Sequence, residues 1–298
     1  MFFAPAKVES LTYPDNLRIT TMFPTDQYIN VKGVNTRYWT AGNEGPVLLL
    51  IHCFGASVEI WQHNIEPLAK FYRVYAIDLV GFGRTDKHEG TYTPLFMVQF
   101  IDDAMTALNL EKVTLIGLSM GGGLSILYAL SFPHKVEKLV LVDSAGLGKE
   151  IIFSVRLMSL PFLGELFTKP SRKMAYLFFK PTVLNSNQLK GQFTDIYYEL
   201  FSLPGAQMAL LKVLRSGCTI FGLKKNVLNE TMMNLHRITS PTLIIWGKQD
   251  TMVPLKQAYY AKEKIPDSKL HVIEQCGHMP NYEKPDEFNR IVLDFLSK

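Results

Sequence analysis

The stretch Gly117-Leu118-Ser119-Met120-Gly121 decides the fold. An apolar run, Val113-Thr-Leu-Ile116, precedes it, and Leu124, Leu127 and Leu130 follow at helical spacing. A strand, a sharp turn and a helix are predicted, with a serine at the turn. A turn that tight strains the serine backbone. Small residues two places before and after keep neighbouring chain from clashing, and Gly117 and Gly121 supply them. The serine Oγ then stands clear of the sheet, and the Met120 N–H points to where an oxyanion would form. The pentapeptide alone is a weak signal, because a glycine-rich turn produces it by chance. The strand before it and the helix after it carry the reading.

A nucleophilic serine needs a base, an acid that orients the base, and a second oxyanion donor. Pro241-Thr-Leu-Ile-Ile-Trp246 reads as a strand, followed by Gly247-Lys-Gln-Asp250. Leu270-His-Val-Ile273 reads as the last strand, followed by a loop with Gly277-His278. A helix with Phe288, Ile291, Val292, Phe295 and Leu296 closes the chain. Of the seven histidines, only His278 sits in a loop after a strand with glycine beside it. His271 alternates within a strand, and His63, His88, His134 and His236 stand in helical or loop contexts without partners. Asp250 is the candidate acid. Asp143, just past the strand Leu139-Val-Leu-Val142, is the runner-up.

Val47-Leu-Leu-Leu-Ile51 is a continuous apolar run, as in a strand buried on both faces. It ends in His52-Cys53-Phe54-Gly55, where a second backbone donor would sit. Taken together, these segments resemble the α/β-hydrolase family. Ser119, Asp250, His278 is the chain order that family uses. The resemblance covers Tyr28 to Lys298 apart from one insert. It implies a mostly parallel twisted sheet flanked by helices, with a helical cap inserted after strand six. It also implies that the N–H groups of Phe54 and Met120 form the oxyanion hole. The chain departs from the family at Cys53, where glycine is usual, and a cysteine resists positive φ. His52 reads as a structural brace of this loop. Asp78, after the strand Val74-Tyr-Ala-Ile77, belongs to an Asp-x-x-Gly-x-Gly segment whose role in the family is loop support.

On this reading residues 1–147 are the first part of the core, 148–237 the cap, and 238–298 the second part of the core. Met1 to about Asp26, with Pro5, Pro14 and Pro24, reads as an irregular arm and lacks the features of a secretory signal. Tyr28–Val31 and Thr36–Thr40 read as a hairpin about Lys32-Gly33-Val34-Asn35. Thr93-Pro94 opens a helix that buries Met97, Phe100, Ile101, Ala104 and Leu108. Asp102 and Asp103 on it read as solvated or bracing charges. The cap segment is apolar and aromatic, with Lys169, Arg172, Lys173 and Lys180 interleaved. That pattern suits a cap core with solvated lysines, or a face that meets a membrane surface.

Composition excludes several classes. The chain has 298 residues, 47% hydrophobic and 19% charged, which is ordinary for a globular protein. A net charge of +4 is small and reads as dispersed, which argues against nucleic acid. No apolar run is long enough for a transmembrane helix. Cys53, Cys218 and Cys276 are sparse and odd in number, so free thiols and a cytoplasmic location are expected.

The expected activity is hydrolysis through an acyl-enzyme, with no cofactor and no metal required. The first expectation is a carboxylic ester of an apolar small molecule. The alternative within the family is carbon–carbon hydrolysis of ring-cleavage products of aromatics. Leu270-His-Val-Ile, Cys276-Gly-His278 and Asp286-Glu-Phe-Asn-Arg290 resemble those enzymes, but they usually carry tryptophan after the histidine and this chain has Met279. Serine at the nucleophile position argues against the dehalogenase and epoxide-hydrolase branches. A ligand receptor that retains the hydrolase residues is the alternative from another class.

Overall fold

The computed structural model describes residues 24–298, so the arm read before Pro24 lies outside the described residues. The strands are β1 (Gln27–Val31), β2 (Val34–Ala41), β3 (Val47–Ile51), β4 (Arg73–Ile77), β5 (Val113–Leu118), β6 (Val136–Val142), β7 (Cys218–Thr219), β8 (Gly222–Leu223), β9 (Thr242–Gly247) and β10 (Ser268–Ile273). β7 and β8 pair only with each other; the rest form one sheet in the order β1-β2-β4-β3-β5-β6-β9-β10. β2 is antiparallel to both β1 and β4, and every other pairing in this sheet is parallel.

The expected amino-terminal hairpin forms with a tighter turn than its residues suggest. Val34 and Asn35 already belong to β2, and Lys32 (φ 48°) and Gly33 (φ 90°) turn the chain alone. Two left-handed residues match the twist that a two-residue hairpin needs.

The central strands β3, β5 and β9 are buried on both faces. Leu48 and Leu50 of β3 join Ile116, Leu118, Leu243 and Ile245 on one side. Leu49 and Ile51 join Leu115, Ile244 and Trp246 on the other. Successive side chains point to opposite faces, so a strand covered twice must be apolar nearly throughout.

The helices are α1 (Ile65–Ala69), α2 (Pro94–Ala107), α3 (Met120–Ser131), α4 (Phe153–Met158), α5 (Leu163–Phe167), α6 (Arg172–Phe179), α7 (Gln192–Phe201), α8 (Ala206–Gly217), α9 (Lys225–Met232), α10 (Lys256–Lys264), α11 (Pro280–Glu283) and α12 (Pro285–Leu296). Thr93 caps α2 as expected, its hydroxyl accepting the Phe96 N–H at 3.2 Å. Asp102 braces rather than being solvated: it accepts from the Tyr128 hydroxyl at 2.9 Å and from Lys135 at 2.6 Å.

Between β6 and β9 the chain leaves the sheet for α4–α9. Its aromatic side chains include Phe179 and Tyr197, with ring centroids 4.4 Å apart, and both join the apolar cluster on one face of the sheet. Two expectations about this insert need correcting. It is not wholly helical, since β7 and β8 form a short hairpin about Ile220-Phe221, with Gly222 opening β8 at φ 109°. The net charge is not dispersed either: residues 148–237 hold twelve Lys or Arg against five Asp or Glu, net +7 in a chain of net +4.

Strand order positions the site. The chain steps from β3 outward to β4, then returns to β5 on the other side of β3. At such a reversal the loops leaving neighbouring strand ends part and open a crevice. His52 and Ser119 follow the ends of β3 and β5, the strands that flank this reversal.

Candidate active site

Ser119 sits at φ 54°, ψ −113°, a conformation that L-residues avoid. Its surroundings leave no alternative. The Ser119 N–H donates to the Val142 carbonyl at 2.8 Å, and the Ser119 carbonyl accepts the N–H groups of Gly123 and Ala145 at 3.0 Å each. A Cβ at Gly121 would lie 2.3 Å from the Ile51 carbonyl oxygen, and one at Gly117 would lie 2.4 Å from the Gly121 carbonyl oxygen. Only glycine lets α3 start this close to the end of β3.

Three side chains distant in sequence meet here. His278 Nε2 lies 2.8 Å from Ser119 Oγ, and His278 Nδ1 lies 2.8 Å from Asp250 Oδ2. Asp250 Oδ1 accepts the N–H groups of Met252 at 2.7 Å and Val253 at 3.0 Å. A carboxylate held this way accepts a hydrogen bond from Nδ1–H, which fixes the tautomer and leaves the Nε2 lone pair facing the serine. Asp143 is not brought to the imidazole in this way. Its Oδ1 accepts the Gly247 N–H at 3.0 Å instead.

The His278 loop is braced by residues whose role the sequence did not disclose. Glu283 accepts the Gly277 N–H at 2.8 Å on one oxygen and the Leu184 N–H at 2.7 Å on the other. Burial pushes its carboxyl group above the usual range. The His278 N–H itself donates to the Thr182 carbonyl at 2.8 Å. The available signal for Glu283 was an acidic residue within the short helix after His278. Its partner Leu184 lies in the insert, beyond the reach of local pattern.

The loop after β3 presents Phe54 beside this group. His52 is fully buried, and burial pushes its pKa down to about 4, so the ring is neutral. The Leu79 N–H donates to its Nε2 at 3.0 Å, which leaves Nδ1–H to donate to the Cys53 carbonyl at 2.8 Å. The Ala56 N–H donates to the same carbonyl at 3.1 Å. Across a trans peptide the C=O and N–H point in opposite directions, so the Phe54 N–H faces away from His52. Cys53 does not need a left-handed backbone; Gly55 takes that role at φ 74°. Burial lifts the Cys53 thiol to about 12, so no thiolate competes as nucleophile near neutrality. Asp78 supports the next loop as expected, accepting the N–H groups of Val58 at 2.7 Å and Arg84 at 2.8 Å.

Ser119 and His278 open into a cavity of about 170 Å³. Phe54, Met97 and Leu127 line it from the core, and Val155, Phe178 and Leu214 from the insert. Among the described residues no Lys, Arg, Asp or Glu lines it.

A mostly parallel sheet flanked by helices, with a serine on its strand-to-helix turn hydrogen-bonded to a histidine, defines a hydrolase. The sequence profile described as "alpha/beta hydrolase fold" matches residues 46–285, and the chain belongs to that family. It is 32% identical over 281 residues to the 2-hydroxy-6-oxo-6-(2'-aminophenyl)hexa-2,4-dienoic acid hydrolase of Metapseudomonas resinovorans, covering 92% of this chain and 91% of that one. It is 29% identical over 285 residues to the 2-hydroxy-6-oxo-6-phenylhexa-2,4-dienoate hydrolase of Burkholderia cepacia, covering 90% and 94%. Among solved structures, a meta-cleavage product hydrolase from Pseudomonas fluorescens superposes with a TM-score of 0.78 at 29% identity, covering 91% and 97%.

Proposed function

We propose that this chain is a serine hydrolase that transfers an acyl group from an apolar substrate to Ser119 and then to water. The observation that carries this reading is the unbroken hydrogen-bond chain Ser119–His278–Asp250 at the wall of an apolar cavity. His278 takes the Ser119 proton as Oγ attacks a carbonyl carbon. The N–H groups of Phe54 and Met120 hold the oxyanion, and Asp250 stabilises the imidazolium. His278 returns the proton to the leaving group, and water then attacks the acyl-enzyme by the same route.

For the bond itself, the named relatives support carbon–carbon cleavage of a ring-cleavage product better than the ester that the sequence first suggested. In that reaction the departing carbon must receive a proton. One observation favours the ester reading: a dienoate carries a carboxylate, and among the described residues no Lys or Arg lines the cavity to receive it. The test offers 2-hydroxy-6-oxo-6-phenylhexa-2,4-dienoate and p-nitrophenyl butyrate to wild type and Ser119→Ala. The larger kcat/KM identifies the bond class. Loss of the nucleophile should cost about 10⁴-fold or more on either substrate. Full activity in Ser119→Ala overturns the mechanism.

In this reading residues 148–237 act as a cap between the two core parts, 1–147 and 238–298. Phe153, Phe162, Leu166 and Phe221 stand exposed on that cap, whose sequence carries an excess of Lys and Arg. This pairing supports peripheral contact with an anionic membrane surface. Among the described residues no helix is long and apolar enough to cross a membrane. Three buried free thiols support a reducing compartment such as the cytoplasm.

A further inference from the structure

Asp143 follows β6 with a strained backbone, φ 42°, and a fully buried side chain. Its Oδ1 accepts one N–H, from Gly247, and no described donor reaches its Oδ2. Asp250 stands beside it with three donors: the N–H groups of Met252 and Val253 and the His278 ring. One oxygen of each carboxyl group and one ring nitrogen of His278 lie within 4.8 Å of one another. Two buried carboxylates this close cannot both be ionised. The charge belongs on Asp250, which has the donors to hold it. An ionised Asp143 would leave a buried oxygen without a donor beside a like charge.

We propose that Asp143 is a positioning residue: held as the neutral acid, it donates a hydrogen bond through its own O–H to the Asp250 carboxylate and steadies that carboxylate against His278. The proposal rests on the reading of Ser119, His278 and Asp250 given above. Burial, followed by the Asp250 charge and a hydrogen bond to Asp250, holds the Asp143 carboxyl well above the usual carboxylate range. The other groups that face it are Glu283, which pushes in the same direction, His278, and the Cys276 thiol, which burial keeps protonated. A protonated Asp143 has the hydrogen-bond pattern of asparagine: one oxygen accepts from Gly247 and the other terminal atom donates to Asp250.

That equivalence supplies the test. The rate of Ser119 labelling by a fluorophosphonate probe is measured at neutral pH for wild type, Asp143→Asn, Asp143→Ala and Asp250→Asn. Asp143→Ala should label about ten- to a hundredfold more slowly, as expected for a lost hydrogen bond to a charged group. Asp143→Asn should stay within about threefold of wild type, because both hydrogen bonds survive. An Asn variant as slow as the Ala variant overturns the proposal. Infrared difference spectra give an answer that does not depend on reactivity. The C=O stretch of a protonated carboxyl group should be present in wild type at neutral pH and lost in Asp143→Asn. If that band is unchanged by the substitution, Asp143 is not the neutral acid. A wild type that fails to label at Ser119, or an Asp250→Asn variant that labels normally, overturns the triad reading instead, and the infrared band then decides the protonation of Asp143 alone.

Discussion

The backbone N–H of His278 donates to the carbonyl of Thr182 at 2.8 Å, so the loop that carries the imidazole is anchored on the helical insert. Thr251 Oγ1 donates to the Pro181 carbonyl at 3.0 Å, and the Leu184 N–H reaches Glu283 at 2.7 Å. Each such bond contributes about 1 kcal/mol net. Together they couple the position of residues 181–184 to the position of the base, and a displacement of about 1 Å at a reacting group can cost 10²-fold in rate.

Asp250→Asn should keep the fold and lose about 10²–10⁴-fold in turnover, because an amide can favour the wrong histidine tautomer. Asp143→Asn should lose far less. Parallel kcat/KM measurements on both variants, with thermal unfolding as a check on folding, test the acid assignment. If Asp143→Asn is the more damaging change, the acid is Asp143.

Acidification should act on the loop after β3. His52 is neutral in the folded chain, with its pKa pushed down to about 4 by burial, while an unfolded histidine titrates near ~6.5. Between these values the unfolded chain binds the extra proton, so stability rises with pH and falls as pH drops. This group should remove up to about 3 kcal/mol of stability across that window, at roughly 1.4 kcal/mol per pH unit. Denaturant midpoints for wild type and His52→Gln measure it. An equal slope in both would show that His52 is not the source.

The cavity should reward apolar substrate length. Each buried methylene contributes up to about 0.8 kcal/mol, so three of them, as from a butyryl to a heptanoyl ester, should raise kcat/KM by more than about tenfold. A series of p-nitrophenyl esters below their solubility limits measures this. Highest kcat/KM on the acetate, with decline along the series, rules out an apolar acyl pocket.

The exposed aromatics and basic charge of the insert should hold the protein on anionic bilayers. Sedimentation with phosphatidylglycerol vesicles should recover at least about tenfold more protein than with phosphatidylcholine vesicles, since each Lys or Arg near an anionic surface is worth about 1 kcal/mol. Phe162→Ser with Phe221→Ser should weaken recovery on both. Equal binding to neither vesicle, with a dimer seen by light scattering, would assign the face to a second copy of the chain.

The turn at Ser119 was legible because its cause is local. A strained serine between two close-packed segments demands Gly117 and Gly121, and a strand buried on both faces demands an apolar run such as Val47–Ile51. The positions of Asp250 and His278 were legible as strand ends, where a parallel sheet delivers side chains to one edge. Asp250 was preferred to Asp143 on the family's chain order and not on local pattern, since both follow strands and those strands, β6 and β9, are direct neighbours. Tertiary structure adds the geometric difference between them: the Gly247 N–H donates to Asp143, while Asp250 reaches the imidazole. The same holds for Thr182, Glu283 and the β7–β8 hairpin, whose strands are two residues long and show no period. Sequence by itself determined the sheet, the serine turn and the set of groups available to it. Which of those groups touch was decided by contacts between residues far apart in the chain, and these exist only after the insert and the two core parts have packed.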